Sequence, residues 1–376
     1  MKSVTSLEVY LKKRAISSPW KLSKTPKKKY RISIVIPAYN ELDSLFITLN
    51  SINKNNIDLL LSTIVVVVIN NSEKTPNTFK TNNLLTIKQI QKSKFYFNLL
   101  FIDASSKGLE LPEKYAGVGL ARKIGIDLIL PYMLSKKSLI FCTDADVTVS
   151  PDYLLTVSNY FTYNKSSAAV IGFKHRKANN ELIDSEIQIY ENYLKDTAKQ
   201  LKKAGSPYSY VSMGSTMVCT LEAYCAVGGM PKKKATEDFY FLQALSKFCS
   251  VESINKELIF PSSRPISRVH LGTGFRMKQV QNGLRISSLY FDENAFEYLA
   301  QWISTVKNCW DLNIVSLLSK TNKIHPQFNT FIIEEGINRV WKKLQQNSKS
   351  RKQFINQFHR WFDGLKTIKL LKYFTN

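Results

Sequence analysis

Asp144-Ala145-Asp146 stands at the exit of a short apolar run, Leu139-Ile140-Phe141-Cys142, with Thr143 between. A run of that kind reads as a buried strand, and open α/β sheets bind ligands at the carboxyl ends of their strands. Two carboxylates in that position offer hard oxygen donors suited to Mg²⁺ or Mn²⁺, and such an ion in turn holds a diphosphate. The same residues also fit a solvated turn, so their meaning depends on two other segments. Upstream lies Ile32-Ser33-Ile34-Val35-Ile36-Pro37-Ala38-Tyr39-Asn40-Glu41, and downstream Thr236-Glu237-Asp238. The downstream pair opens a helical pattern, Phe239 to Leu245, where acids favour the helix dipole with or without a catalytic role.

The elements that must position these residues alternate along the chain. Apolar runs at 32–36, 63–69, 97–102, 139–143 and 168–173 predict strands, and helical patterns fall at about 41–53, 116–134 and 151–163. Strand–helix alternation at this spacing implies an α/β fold with a mainly parallel central sheet flanked by helices. The polar, Asn-, Lys- and Thr-rich segment 73–95 reads as a surface excursion. After residue 173 a long amphipathic helix is expected over 180–203, then the small-residue stretch Val211 to Ser215. Beyond about 280 the pattern is helical, anchored by Trp302, Trp310, Trp341 and Trp361. The expected organisation is a basic N-terminal arm over 1–29, a catalytic domain over 30–278, and a helical, basic C-terminal region over 279–376.

Composition is that of a folded protein: 44% hydrophobic and 12% aromatic residues, with 14 Gly and 12 Pro in 376 residues. No apolar stretch reaches the roughly 18 residues of a membrane span, and the first residues lack the apolar core of a signal peptide. Five widely spaced cysteines (Cys142, Cys219, Cys225, Cys249, Cys309) argue against a zinc site or disulfide framework and for core thiols in a reducing cytoplasm. The net charge of +24 is uneven: residues 1–31 carry ten Lys/Arg against Glu8, and residues 331–376 carry ten against three acids. Basic ends attract anionic partners, whether nucleic acid, anionic lipid or a phosphorylated substrate, of which nucleic acid is not expected here; solvated surface lysines are the plain alternative. The segment Phe354 to Lys366 reads as one amphipathic helix that docks on the protein or lies on an anionic membrane with Trp361 and Phe362 at the interface. The latter would place the protein peripherally at the inner face of the cell membrane, beside a lipid-linked acceptor.

Over roughly residues 31–275 the chain resembles the family 2 glycosyltransferases, which have the GT-A nucleotide-diphospho-sugar transferase fold. Ile34 to Glu41 matches the opening strand and loop, and Gly119-Leu120-Ala121-Arg122-Lys123-Ile124-Gly125 the A-R-N-x-G helix start. Asp144-Ala145-Asp146 matches the metal-binding D-x-D, and Val227-Gly228-Gly229-Met230 with Thr236-Glu237-Asp238 the G-G…E-D pattern. The order and spacing of these elements make the resemblance specific. It implies transfer of a sugar from a nucleotide-diphosphate donor to a hydroxyl acceptor, in cell-surface glycan or glycolipid synthesis. Asp146 then ligates the metal, with Asp144 on the ribose or a metal-bound water, and His270 is a candidate third ligand. Asp238 is the candidate base and Glu237 orients the acceptor or the base; a base opposite the leaving group implies inversion. Pro37, Ala38, Tyr39, Glu41 and Asn70 belong to the nucleotide site. Arg122 at a helix start, and Arg268 and Arg276 in the segment 264–276, are candidate diphosphate binders.

The chain departs from the family pattern at two places. Lys123 replaces the usual Asn, and Ile69-Asn70-Asn71-Ser72 stands where an acidic D-D or D-N usually precedes G-S. Asn70 still offers an amide oxygen to a uracil N–H; UDP is the expected nucleotide, with GDP or dTDP open. The absence of a Q-x-x-R-W motif argues for transfer of a single sugar rather than processive synthesis. Two other readings stay open: a sugar-nucleotide nucleotidyltransferase, whose glycine-rich phosphate loop is missing after the first strand, and a non-catalytic basic nucleic-acid- or membrane-binding protein on a decayed core.

Overall fold

The computed structural model describes residues 6–266 and 272–375. In chain order the elements are α1 (Ser6–Lys13), β1 (Ile32–Ala38), α2 (Leu42–Ile52), α3 (Ile57–Leu61), β2 (Thr63–Asn70), α4 (Asn77–Lys92), β3 (Asn98–Ala104), α5 (Val118–Ile129), β4 (Leu139–Cys142), β5 (Thr148–Val149), α6 (Tyr153–Asn164), β6 (Ala168–Phe173) and α7 (Glu181–Lys203). There follow β7 (Met217–Thr220), α8 (Leu221–Ala226), α9 (Glu237–Phe248), β8 (Glu252–Phe260) and α10 (Thr273–Gln281), then α11 (Glu293–Asn308), α12 (Ile314–Thr321), α13 (Phe328–Glu334), α14 (Ile337–Gln346), α15 (Arg351–Trp361) and α16 (Gly364–Tyr373). The chain divides into two compact units, Met1–Gln188 with Ser212–Leu284, and Ile189–Val211 with Arg285–Asn376.

The first unit is built on one eight-stranded sheet in the order β3-β2-β1-β4-β7-β6-β8-β5. The block β3-β2-β1-β4 is parallel, as near-continuous Val/Ile runs covered by helices on both faces require. β7 then runs antiparallel to both β4 and β6, and β8 lies parallel to β6. The mainly parallel α/β sheet expected from the alternation is therefore present, with reversals at β7 and at the edge strand β5, and the fold is GT-A. In the parallel block Ala38 lies opposite Ile69 and Val35 opposite Cys142, so the exits of β1, β2 and β4 share one edge of the sheet. Helix α5 lies close on that block because Gly125 has no side chain: a Cβ there would come within 2.5 Å of Val35 Cγ1.

Residues 73–95 are not an excursion. Residues 77–92 form α4, a 16-residue helix that buries Asn83, Thr86 and Ile90. Its polarity misled the reading because the buried stripe is narrow and holds Asn and Thr rather than aliphatic residues. Asn83 is satisfied there, donating to the Asn70 carbonyl (3.1 Å) and accepting from Asn40 N–H (3.0 Å).

The basic N-terminal segment is held at two places. Tyr10 on α1 donates its hydroxyl to Asp127 Oδ1 (2.7 Å) and accepts from Lys123 Nζ (2.7 Å); Tyr224 donates to the same carboxylate oxygen (2.9 Å). Lys123, where the family has Asn, is buried and ion-paired to Asp127 at 2.9 Å, one turn along α5. Further on, Ser23 N–H bonds the Phe101 carbonyl (2.8 Å), and Leu22 bridges Ile102, so the chain covers the free edge of β3.

The second unit has its own aromatic core, with Trp302, Phe328, Trp341, Phe354, Phe358 and Phe362 buried in one cluster. Each such ring contributes on the order of 2 kcal/mol by burial. Of the four expected Trp anchors, Trp302 and Trp341 are buried and Trp310 and Trp361 half-buried. The single amphipathic helix expected across 354–366 is two helices. Asp363 caps α16 by accepting from Lys366 N–H (3.3 Å), which ends α15 at Trp361. The apolar face of that segment, Phe354, Phe358 and Phe362, is spent on the core of this unit. Among the described residues no helix is long and apolar enough to cross a membrane.

Candidate active site

The site is built by three strand exits, the start of α9 and one buried arginine. Arg122, on the second turn of α5, is 1% exposed, and its guanidinium is shared by two carboxylates: Nη2 donates to Asp144 Oδ1 and Nη1 to Glu237 Oε1. Asp144 arrives at the exit of β4, and Glu237 opens α9. The loop 231–234 can come close enough to α5 because Gly117 and Gly119 leave room. A Cβ on Gly117 would meet the Lys234 carbonyl at 2.5 Å, and one on Gly119 would meet Glu237 Cβ at 2.8 Å. Gly214 makes room on the other side, since a Cβ there would overlap the Arg122 guanidinium. Sequence reasoning placed Arg122 at a helix start as a diphosphate binder. The structure places it beneath the acids, joining Asp144 to Glu237.

Charge in this cluster is unevenly balanced. Burial pushes the Glu237 carboxyl up to about 7, with the attraction of Arg122 acting against the shift and the neighbouring Asp238 adding to it. Burial also raises Asp238, again opposed by Arg122. Arg122 itself stays cationic: burial disfavours its charge, and Asp144 and Glu237 outweigh that. Thr236 enters α9 with φ of 63°, a left-handed conformation that aims the next two acids into the site, and Asp238 Oδ1 accepts from the following N–H of Phe239 (2.8 Å).

Asp146 lies two residues beyond Asp144. Its carboxyl is pushed up by burial and by the repulsion of Asp144, with Arg264 and Arg176 acting against the shift. Arg264 Nη2 lies 3.3 Å from Asp146 Oδ2 and also pairs with the buried Glu41, while Arg176 Nη2 donates to the Asp146 carbonyl (2.8 Å). Sequence reasoning missed Arg264 and Arg176 as site residues. Arg264 stands in the same Arg-rich segment as Arg268 and Arg276, and spacing there does not tell them apart. Arg276 lies on α10 and bonds its own helix neighbour, Gln279 Oε1, at 2.7 Å. Arg268 and His270 lie outside the described residues.

The donor-side residues gather at the shared strand exits. Asn70, at the end of β2, is buried, and its amide N–H groups go to the carbonyls of Ala38 (3.2 Å) and Val68 (3.1 Å). What it can offer a ligand is therefore its acceptor oxygen. Pro37 and Ala38 end β1, and Tyr39 stands edge-on to Phe79 with ring centres 5.7 Å apart. The neighbouring Asn71 amide is buried with no partner on either atom among the described residues.

Among the described residues no three His, Cys, Asp or Glu side chains converge to hold a metal ion. The pair Asp144 and Asp146 nevertheless fits one. Both donors are hard carboxylate oxygens, Asp146 is disfavoured as an anion by burial and by its neighbour, and Mg²⁺-type sites commonly take two carboxylates with substrate phosphates and water completing the shell.

Residues 33–218 match the sequence profile described as Glycosyl transferase family 2. Those residues form a glycosyl transferase family 2 domain, and the protein is a glycosyltransferase. No curated protein matches it. Among solved structures it is similar to residues 1–349 of TarS from S. aureus in complex with UDP-GlcNAc, with 13% identity, 88% of this chain and 91% of that one covered, and a TM-score of 0.44. It is also similar to the mannosyltransferase PcManGT from Pyrobaculum calidifontis in complex with GDP-Man and Mn²⁺, with 15% identity, coverage of 95% and 93%, and a TM-score of 0.42.

Proposed function

We propose that the protein transfers one sugar from a nucleotide-diphosphate donor, UDP being the expected nucleotide, to a hydroxyl acceptor, with a divalent ion and with inversion at the anomeric carbon. The observation that carries this reading is Arg122: a fully buried guanidinium that ties Asp144 to Glu237 holds both acidic motifs in one place. Asp144 and Asp146 would hold Mn²⁺ or Mg²⁺, which when bound supplies positive charge against the diphosphate leaving group. Asn70 presents its amide oxygen to an N–H of the base. The acceptor oxygen attacks the anomeric carbon opposite the diphosphate; its C–O bond forms as the bond to the diphosphate oxygen breaks, and that electron pair leaves with the nucleoside diphosphate. Asp238 takes the proton of the acceptor hydroxyl, and its burial makes it a stronger base than an exposed aspartate. Glu237, held by Arg122, orients the adjoining backbone. Cell-surface glycan or glycolipid synthesis is the setting we propose, on the strength of a net charge of +24 that suits an anionic acceptor.

The test is thermal unfolding with UDP, GDP, dTDP or CDP, each with and without Mn²⁺, on wild type and Asp146→Ala. A ligand that binds the native state raises the melting temperature. One diphosphate should do so only with metal, and the shift should vanish in the variant. No shift with any nucleotide would sink the reading and favour a basic binding protein on an inherited scaffold.

A further inference from the structure

Beyond the acids lies a cavity of about 410 Å³ between the segment after β6 and the segment after β8. Its lining includes Arg176, Lys177 and Arg264, with Asn180, Ser263 and Gln281 among the polar groups, and among the described residues it holds no carboxylate. The three cations have spare hydrogen-bonding capacity. Arg176 gives Nη2 to the Asp146 carbonyl, and Arg264 gives Nη2 to Glu41 and Asp146, which leaves Nη1 of each without a bond among the described residues. Lys177 is exposed at the rim. Like charges gathered in one pocket repel, and a phosphate offsets that repulsion while matching the guanidinium fork.

We propose that this cavity is an anion subsite that takes a phosphate group of the acceptor, so that the acceptor is a phosphate-bearing molecule. The inference rests on the glycosyl-transfer reading above and adds the acceptor's chemical class. Two observations assign the phosphate to the acceptor rather than to the donor. The lining shares no residue with Pro37, Ala38, Tyr39, Glu41, Asn70 or Asp144, where the nucleotide is expected, and touches that set only where Arg264 pairs with Glu41. Arg264 nevertheless reaches Asp146, so an anion held in the cavity lies one side chain from the place where transfer would occur.

Calorimetric titration of the full chain at low ionic strength tests this, with sn-glycerol 3-phosphate as probe, alone and after saturation with UDP and Mn²⁺. Wild type should bind the probe with affinity little changed by the nucleotide. Arg176→Gln and Lys177→Ala should each weaken binding about tenfold, the loss of one charge-assisted hydrogen bond. Lys352→Ala, an exposed charge of the second unit, should leave it unchanged and controls for the overall charge. Lys177 is exposed, so its variant should fold even if Arg176→Gln does not. Absence of probe binding, equal weakening by all three variants, or displacement of the probe by UDP would each overturn the proposal, the last by showing that the cavity belongs to the donor. Failure of the glycosyl-transfer reading would show separately, as absence of UDP binding in wild type.

Discussion

Arg122 and Gly214 are coupled residues. The guanidinium is pinned between Asp144 and Glu237, and Gly214 leaves the space in which its nitrogens lie. Gly214→Ala therefore forces a buried cation off at least one carboxylate. Overpacking of this kind costs about 1–3 kcal/mol, and at about 1–2 °C per kcal/mol for a chain of this size the melting temperature should fall by a few degrees. Transfer activity should fall at least tenfold, because the two acidic motifs lose their common tie. A variant with wild-type melting and wild-type rate would show that the arginine is not fixed by this contact.

Among the elements, α1 is attached at a point that a single change can test. Tyr10 seats its hydroxyl on Asp127 directly over Gly229, where a Cβ would overlap it, and Gly229 also has φ of +77°. Gly229→Ala should release α1 while leaving the sheet folded. Limited trypsin digestion reads this directly: cleavage after Lys12, Lys13 or Arg14 should speed up severalfold over wild type, with the remaining core intact. Unchanged cleavage would mean that the bond from Ile16 N–H to Asp127 Oδ2 (2.9 Å) holds the segment without Tyr10.

At the scale of the whole chain, the second unit carries a pH dependence of its own. Burial, with a smaller push from Lys307, lowers the His359 imidazole to about 4. Its ordinary value is about 6.5. Between those values the unfolded chain binds the proton and the folded unit does not. Stability from this group is therefore full above about 6.5 and is lost as pH falls toward 4. The melting temperature should drop between pH 7 and pH 4.5, and His359→Gln should narrow that drop. An identical drop in the variant would assign the acid sensitivity to other groups.

The sequence by itself determined what depends on neighbours along the chain. The apolar runs located β1, β2, β3, β4 and β6 to within a residue or two, and the acidic pairs 144/146 and 237/238 could be placed at element ends from local pattern alone. Local pattern failed where a helix buries polar residues, as in α4, and where a cap at Asp363 divides one amphipathic run into α15 and α16. Only the tertiary structure decided which charges meet. Arg122 and Glu237 are 115 residues apart in sequence, and Arg264 and Glu41 are 223 apart. Nothing in their local sequence distinguishes Arg264 from Arg276, yet one reaches the acids and the other bonds within its own helix. Secondary structure follows from the backbone's local preferences and the period of burial, which a sequence displays. Ion-pair partners follow from where long crossovers bring strand exits and helix starts together, and that is settled only when the sheet order closes and the glycines let the helices approach.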